Sequence, residues 1–115
     1  MKDRCILVDN SMKNKKAKLI ARLTPELVVL RARIDIKQEE LAEKIGVSRQ
    51  TYSAIECYKR EMSWNTFLAL FLFSEHNPVT LVALKEMDGL YDEVSALLSH
   101  QSERQLMQYR NSREK

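Results

Sequence analysis

The segment that decides the fold is residues 38–51, which read QEELAEKIGVSRQT. Leu41 and Ile45 lie four positions apart and predict the buried face of one short helix. Gly46 supplies the positive φ that an abrupt turn requires, and Ser48 is a favourable N-cap for a second helix. The segment therefore predicts two short helices that meet at a fixed, nearly perpendicular angle.

The second helix is expected to present polar side chains on its outer face. Tyr52 and Ile55 have the spacing of buried residues, so the positions between them and before them face outward. An arginine can bridge O6 and N7 of guanine, and a glutamine can bridge N6 and N7 of adenine. We predict that the base-reading residues of this helix are Arg49, Gln50, Ser53 and Thr51.

Residues 26–76 resemble the lambda-repressor-like, Cro/C1-type helix-turn-helix family, also called the XRE family. The residues that carry the resemblance are Gln38–Ala42, Ile45–Thr51, Ile55-Glu56 and Lys59-Arg60. The resemblance implies a bundle of helices in which the second helix of the motif enters the DNA major groove while the first crosses the backbone.

The resemblance also implies roles for single residues. Gln38 would bind a backbone phosphate and brace Arg49 at the start of the second helix. Glu56 would form an ion pair with Arg31 of the preceding helix, which makes it structural rather than base-reading. The phosphate-binding residues are predicted to be Gln38, Ser48, Lys59 and Arg60.

Three positions depart from the family pattern. Lys37 stands where serine or threonine is common, so that helix cap is lost or comes from the backbone. Asp35 stands where glycine is common, and it is expected to end the first helix because aspartate tolerates left-handed geometry. Tyr58 also replaces a common glycine, so the second helix of the motif is expected to run to about Tyr58 or beyond, which alters the contacts of Lys59 and Arg60.

The whole chain is predicted to be mainly α, because its 115 residues include only two glycines and two prolines. Residues 1–23 form an N-terminal arm or short β-hairpin, with a helix from Met12 to Leu23 as the alternative. Residues 24–76 form the helix-turn-helix domain, residues 77–110 a C-terminal helical extension suited to dimerisation, and residues 111–115 a disordered tail.

Charge is distributed unevenly along the chain. Residues 1–60 carry 14 Lys and Arg against 8 Asp and Glu, whereas residues 61–115 carry 5 against 8. Within the first half, residues 13–18 hold four lysines and no acid. This segment fits either an arm that touches phosphates or a solvated loop, and the basic half as a whole is suited to a polyanion.

No enzyme or metal site is predicted. His76 and His100 have no partner at ligand spacing, Cys5 and Cys57 do not form a metal-binding pattern, and no phosphate-binding glycine loop occurs. We predict no catalytic residue, no metal and no cofactor. The cysteines are expected to be free thiols.

The location follows from the apolar segments. The run at residues 5–8 is too short for a signal peptide, and no later run reaches transmembrane length. The expected location is therefore the cytoplasm, in association with the nucleoid, and no contact with a membrane is predicted.

The first functional hypothesis is a sequence-specific transcriptional regulator of a prokaryote or a mobile element. It would be a homodimeric repressor bound to an inverted-repeat operator in double-stranded DNA, since dimers of this geometry read two half-sites. The alternative is a protein-interaction module, such as the antitoxin of a toxin–antitoxin pair, whose C-terminal helices bind a partner protein. A nonspecific nucleoid-associated protein is a third, more distant hypothesis.

Overall fold

The computed structural model describes the backbone of residues 2–100 and 103–114 and the side chains of residues 11–100, 104 and 107–112. The predicted fold class, mainly α, is confirmed, and the described backbone contains helices without any strand. In chain order the helices are α1 (Lys2–Leu23), α2 (Leu27–Arg33), α3 (Gln38–Ile45), α4 (Arg49–Glu56), α5 (Trp64–Glu75), α6 (Pro78–Glu86), α7 (Leu90–Leu98) and α8 (Glu103–Glu114), with one 3-10 turn over Thr24–Glu26 between α1 and α2.

The N-terminal segment is a helix, and the predicted hairpin is wrong for residues 2–23. Leu19, Ile20 and Leu23 are buried at the spacing of one helical face, which a pairing of two strands would have split between opposite faces. Pro25 does not interrupt the chain, because it lies at the start of the 3-10 turn where its missing N–H is not needed. The end of α1 therefore belongs to the core rather than to a separate arm.

A single apolar core joins the helix-turn-helix segment to the helices on either side. Tyr52 of α4 and Phe67 of α5 are completely buried, and Leu23 of α1 reaches the same cluster. Leu84 and Val94 extend this cluster into α6 and α7. The angle between α3 and α4 is thus supported from several sides, which is the condition for presenting one helix rigidly to a ligand.

Three helices end in the same way, with a left-handed residue just past the last turn. Asp35 (φ 52°), Gly46 (φ 81°) and Tyr58 (φ 63°) hold this position after α2, α3 and α4. After α4, the amide of Lys59 donates to the carbonyl of Ala54 at 2.9 Å, which is the long hydrogen bond of a Schellman motif.

The prediction that Asp35 ends its helix is confirmed. The prediction of a longer α4 is wrong, because α4 ends at Glu56 and Tyr58 itself adopts the conformation that glycine usually supplies.

Replacing Tyr58 with glycine is expected to stabilise the protein. A left-handed conformation costs a residue other than glycine about 1–2 kcal/mol. Glycine recovers this cost, but its greater conformational freedom in the unfolded state lowers stability by about 0.4–1 kcal/mol. Because the Tyr58 side chain is 68% exposed, little burial is lost, and urea unfolding should show a gain of roughly 0.5–1 kcal/mol. Gly46→Ala is the matched control and should destabilise, since nothing within 4 Å meets the added methyl group and only the backbone conformation penalises it. Equal effects of the two substitutions would contradict this account.

The C-terminal part contains two separate helices after α6, since α7 ends at Leu98 and α8 begins at Glu103. Residues 111–114, expected in a disordered tail, lie within α8. In the described part of the chain no single helix is long and apolar enough to cross a membrane, while α5 and α6 together meet that test only as a pair bent by 117°.

Candidate nucleic-acid interface

The first turn of α4 is held by a side-chain cap. The amide of Thr51 donates to Oγ of Ser48 at 3.0 Å, and the Ser48 hydroxyl donates to Oγ1 of Thr51 at 2.9 Å. Both hydroxyls are therefore engaged with each other at the start of the helix. This arrangement fixes the backbone that carries Arg49 and Gln50, and it leaves Thr51 oriented by the cap rather than free to turn outward.

The outer face of α4 forms a shallow groove. Arg49 and Gln50 are exposed and Ser53 is half-buried, and all three border this groove together with Ala54, Cys57 and Lys59. Within the described residues, the Arg49 and Gln50 side chains make no hydrogen bond or ion pair. The structure thus brings together three of the four residues predicted to read bases, with their donors and acceptors turned to solvent.

Lys59 and Arg60 point to different parts of the surface. Lys59 borders the groove of α4, whereas Arg60 lies with Ile20 and Ala21 of α1 around a second depression. Both cations directly follow the left-handed turn at Tyr58, after the end of α4. Of the two residues predicted to bind phosphate, Lys59 therefore lies beside α4 and Arg60 lies beside α1.

An ion pair ties α2 to the far end of α4. Arg31 donates from Nε to Oε2 of Glu56 and from Nη2 to Oε1, both at 2.8 Å, and its Nη1 donates to the Ile36 carbonyl at 3.1 Å. Only 5% of the Glu56 side chain is exposed, against 20% for Arg31. This two-pronged contact fixes the orientation of α4 relative to α2 and to the loop that leads into α3.

Gln38 completes this cluster. Its Nε2 donates to Oε1 of Glu56 at 3.0 Å, so it braces the last turn of α4 and not the first, and the brace to Arg49 implied by the resemblance is not formed. Since a side-chain amide has two N–H donors, one remains for a phosphate. The cap at Lys37 is indeed absent as a side-chain contact, and α3 begins without one.

The electrostatics of the cluster favour its charged form. Burial raises the pKa of the Glu56 carboxyl, but hydrogen bonds from Arg31 and Gln38 together with the Arg31 charge outweigh it, and the net pKa is lowered. The hydrogen bond to Glu56 raises the pKa of Arg31. Burial is the main cause that raises the pKa of the Tyr52 hydroxyl, and the neighbouring Glu56 carboxylate raises it further. The phenol therefore stays neutral. The cluster thus carries one positive and one negative charge across the neutral pH range.

Sequence reasoning missed the attachment of α1 beside this interface. Nζ of Lys16 lies 5.2 Å from the centre of the Trp64 ring at the start of α5. About one turn and a half further along α1, Nη1 of Arg22 donates to Oε2 of Glu93 in α7 at 3.0 Å, and Nη2 contacts the Asp88 carbonyl. The helical spacing of Lys16, Leu19, Ile20 and Leu23 is the signal for the alternative helix from Met12 to Leu23, which lies within α1.

No group of three or more histidine, cysteine, aspartate or glutamate side chains suited to a metal occurs in the part of the chain that the structure describes. His76 instead contacts the Leu72 carbonyl of its own helix at 2.8 Å. The interface therefore consists of cationic, amide and hydroxyl groups on a fixed helical frame.

Comparison with known proteins agrees with this geometry. Residues 29–61, which extend from the middle of α2 to the loop after α4, match the model of a helix-turn-helix family. No curated protein and no solved structure matches the chain. The predicted resemblance to the Cro/C1-type helix-turn-helix family (the XRE family) is therefore confirmed for residues 29–61.

Proposed function

We propose that this protein is a sequence-specific transcriptional regulator that acts as a homodimeric repressor on double-stranded DNA. The observation that carries the proposal is the capped helix α4, which offers Arg49 and Gln50 to solvent while its other face is buried. A helix of this kind fits the DNA major groove, where arginine and glutamine can distinguish guanine and adenine by paired hydrogen bonds. It would act in the cytoplasm by binding, without catalysis.

The proposed role of each residue follows from its position on the surface around α4. Arg49 and Gln50 read base edges, with Ser53 beside them in the same groove. Lys59, Arg60 and the free N–H of Gln38 contact phosphates and set the register of the protein on the duplex. Thr51 and Ser48 contribute chiefly through the cap, with the amides at the start of α4 directed at the backbone.

A dimer is supported by apolar side chains that lie outside the α4 groove. Leu72 is 56% exposed, and Val79 and Val82 of α6 are 49% and 54% exposed. Apolar residues exposed on neighbouring helices are suited to self-association. A two-fold dimer would place two copies of α4 about 34–36 Å apart and would require an inverted-repeat operator. Repression would then follow from blocking access to a promoter.

Selection of bound sites from a pool of random duplex DNA tests the proposal. We expect enrichment of one inverted-repeat sequence whose half-sites are one helical turn apart. The enriched duplex should bind at least about 10³-fold more tightly than random duplex at the same salt concentration, and sedimentation should show two chains per duplex.

Other outcomes would separate the competing functions. Equal affinity for all sequences, with strong salt dependence, would contradict sequence-specific regulation and favour nonspecific DNA coating. Selection of a single, non-repeated site bound by one chain would support base reading by α4 and would contradict the proposed dimer.

A further inference from the structure

α1 has a basic face formed by Lys13 and Lys16, of which Lys16 also contacts Trp64. Lys13 is exposed and Lys16 half-buried, and both share a helical face with Ile20, since they lie seven and four residues before it. Ile20 borders the depression that also contains Arg60. This face of α1 therefore adjoins the loop that follows the recognition helix.

Lys16 is positioned rather than free. Its ammonium group lies over the Trp64 ring, 5.2 Å from the ring centre, and a cation held in this way keeps its charge while losing conformational freedom. Trp64 begins α5, immediately after the loop of residues 57–63. Lys16 thus has a fixed place at the start of α5, the helix that directly follows the loop containing Arg60.

Basic side chains occur in each part of this surface. Arg49 and Lys59 border the α4 groove, Arg60 borders the depression beside Ile20 of α1, and Lys16 and Lys13 lie about one and two helical turns before Ile20. Glu61 is an acid that borders the same depression as Arg60. A line of positive charge longer than one recognition helix fits the phosphate backbone of a duplex beyond the bases that the helix reads.

We propose that Lys13 and Lys16 of α1 contact the DNA phosphates that flank each half-site. The proposal rests on the DNA-binding function proposed above. Its partner is the sugar-phosphate backbone of duplex DNA, recognised by charge without regard to sequence. α1 then acts as a second anchor, held to the domain core by Leu19, Ile20 and Leu23.

The chain offers a matched control on the same helix. Lys15 and Lys18 have the same spacing as Lys13 and Lys16, but they border a depression together with Glu93 of α7. Replacing either pair with glutamine removes two positive charges from α1. Only the pair on the Arg60 side should affect flanking phosphates.

The experiment measures affinity for the selected site as a function of salt, on a long duplex and on one trimmed to the half-sites. Lys13→Gln with Lys16→Gln should reduce the slope of log affinity against log salt by about 1.8 per chain on the long duplex, and its deficit should shrink as salt rises. On the trimmed duplex this variant and the native protein should bind alike. Lys15→Gln with Lys18→Gln should leave the slope unchanged on both.

Folding is checked separately. Because Lys16 also contacts Trp64, thermal unfolding of each variant is measured, and Lys13→Arg with Lys16→Arg should restore the slope. Equal slopes for the two glutamine pairs, or an equal deficit on long and trimmed duplexes, would overturn the contact with flanking DNA. If the native protein shows no preferred site at all, it is the proposed regulator function that fails, whereas a native site preference with an unchanged slope removes only the role of α1.

Discussion

Replacing Arg31 with methionine should lower the free energy of unfolding by about 3–5 kcal/mol, because the Glu56 carboxylate would remain buried without its cation. The carboxylate side chain is only 5% exposed, and it accepts two 2.8 Å hydrogen bonds from the guanidinium group. Glu56→Gln should be less severe, since an amide of the same shape keeps an acceptor and leaves the more exposed partner unpaired. Chemical denaturation monitored by Trp64 fluorescence measures both.

A double substitution and the pH dependence provide the controls. Arg31→Met with Glu56→Leu should recover much of the loss, because no charge is then buried. Since the pKa of Glu56 is lowered from its usual 4.5 in the folded state, its stabilising contribution is present above that pH and disappears as the pH falls through the lowered value. The difference between the native protein and Arg31→Met should therefore shrink in acid. A difference independent of pH would show that lost packing, and not the stranded charge, explains the effect.

Arg49→Ala should reduce the sequence preference of the protein while leaving its affinity for random DNA nearly intact. A good bidentate contact with a base contributes about 1–3 kcal/mol of discrimination, so affinity for the selected duplex should fall roughly 5- to 150-fold by that estimate. The side chain is exposed and makes no contact in the described chain that its removal would break, so folding should be unaffected. Fluorescence anisotropy with the selected and random duplexes measures the two affinities.

Lys59→Ala distinguishes base reading from simple charge. It removes one positive charge from the same groove, and it should weaken binding to all sequences alike while reducing the salt slope by about one. If Arg49→Ala instead behaves like Lys59→Ala, with an equal loss on both duplexes, then Arg49 contacts the backbone and another residue, first of all Gln50, reads the base.

The central helices could be predicted from local sequence because each has a complete set of local signals. α3 combines helically spaced Leu41 and Ile45 with a terminal Gly46, and α4 has the strong cap at Ser48. Such signals act within a few residues, so they need no knowledge of distant contacts. The position of Arg49 and Gln50 on the outer face follows from the burial of Tyr52 in the same way.

Local sequence was enough to predict the two helices of the motif and the residues on their outer face, since those depend on spacing within one or two turns. Tertiary structure alone decided the form of α1, where buried contacts of Leu19 and Leu23 outweigh the weak local preference of an ambiguous segment. It also decided that Gln38 turns to Glu56 instead of Arg49, because a buried carboxylate must gather donors from whichever helices surround it. The left-handed conformation of Tyr58 was also decided by the folded structure. The Schellman hydrogen bonds that end α4 impose this conformation, which tyrosine rarely adopts by local preference.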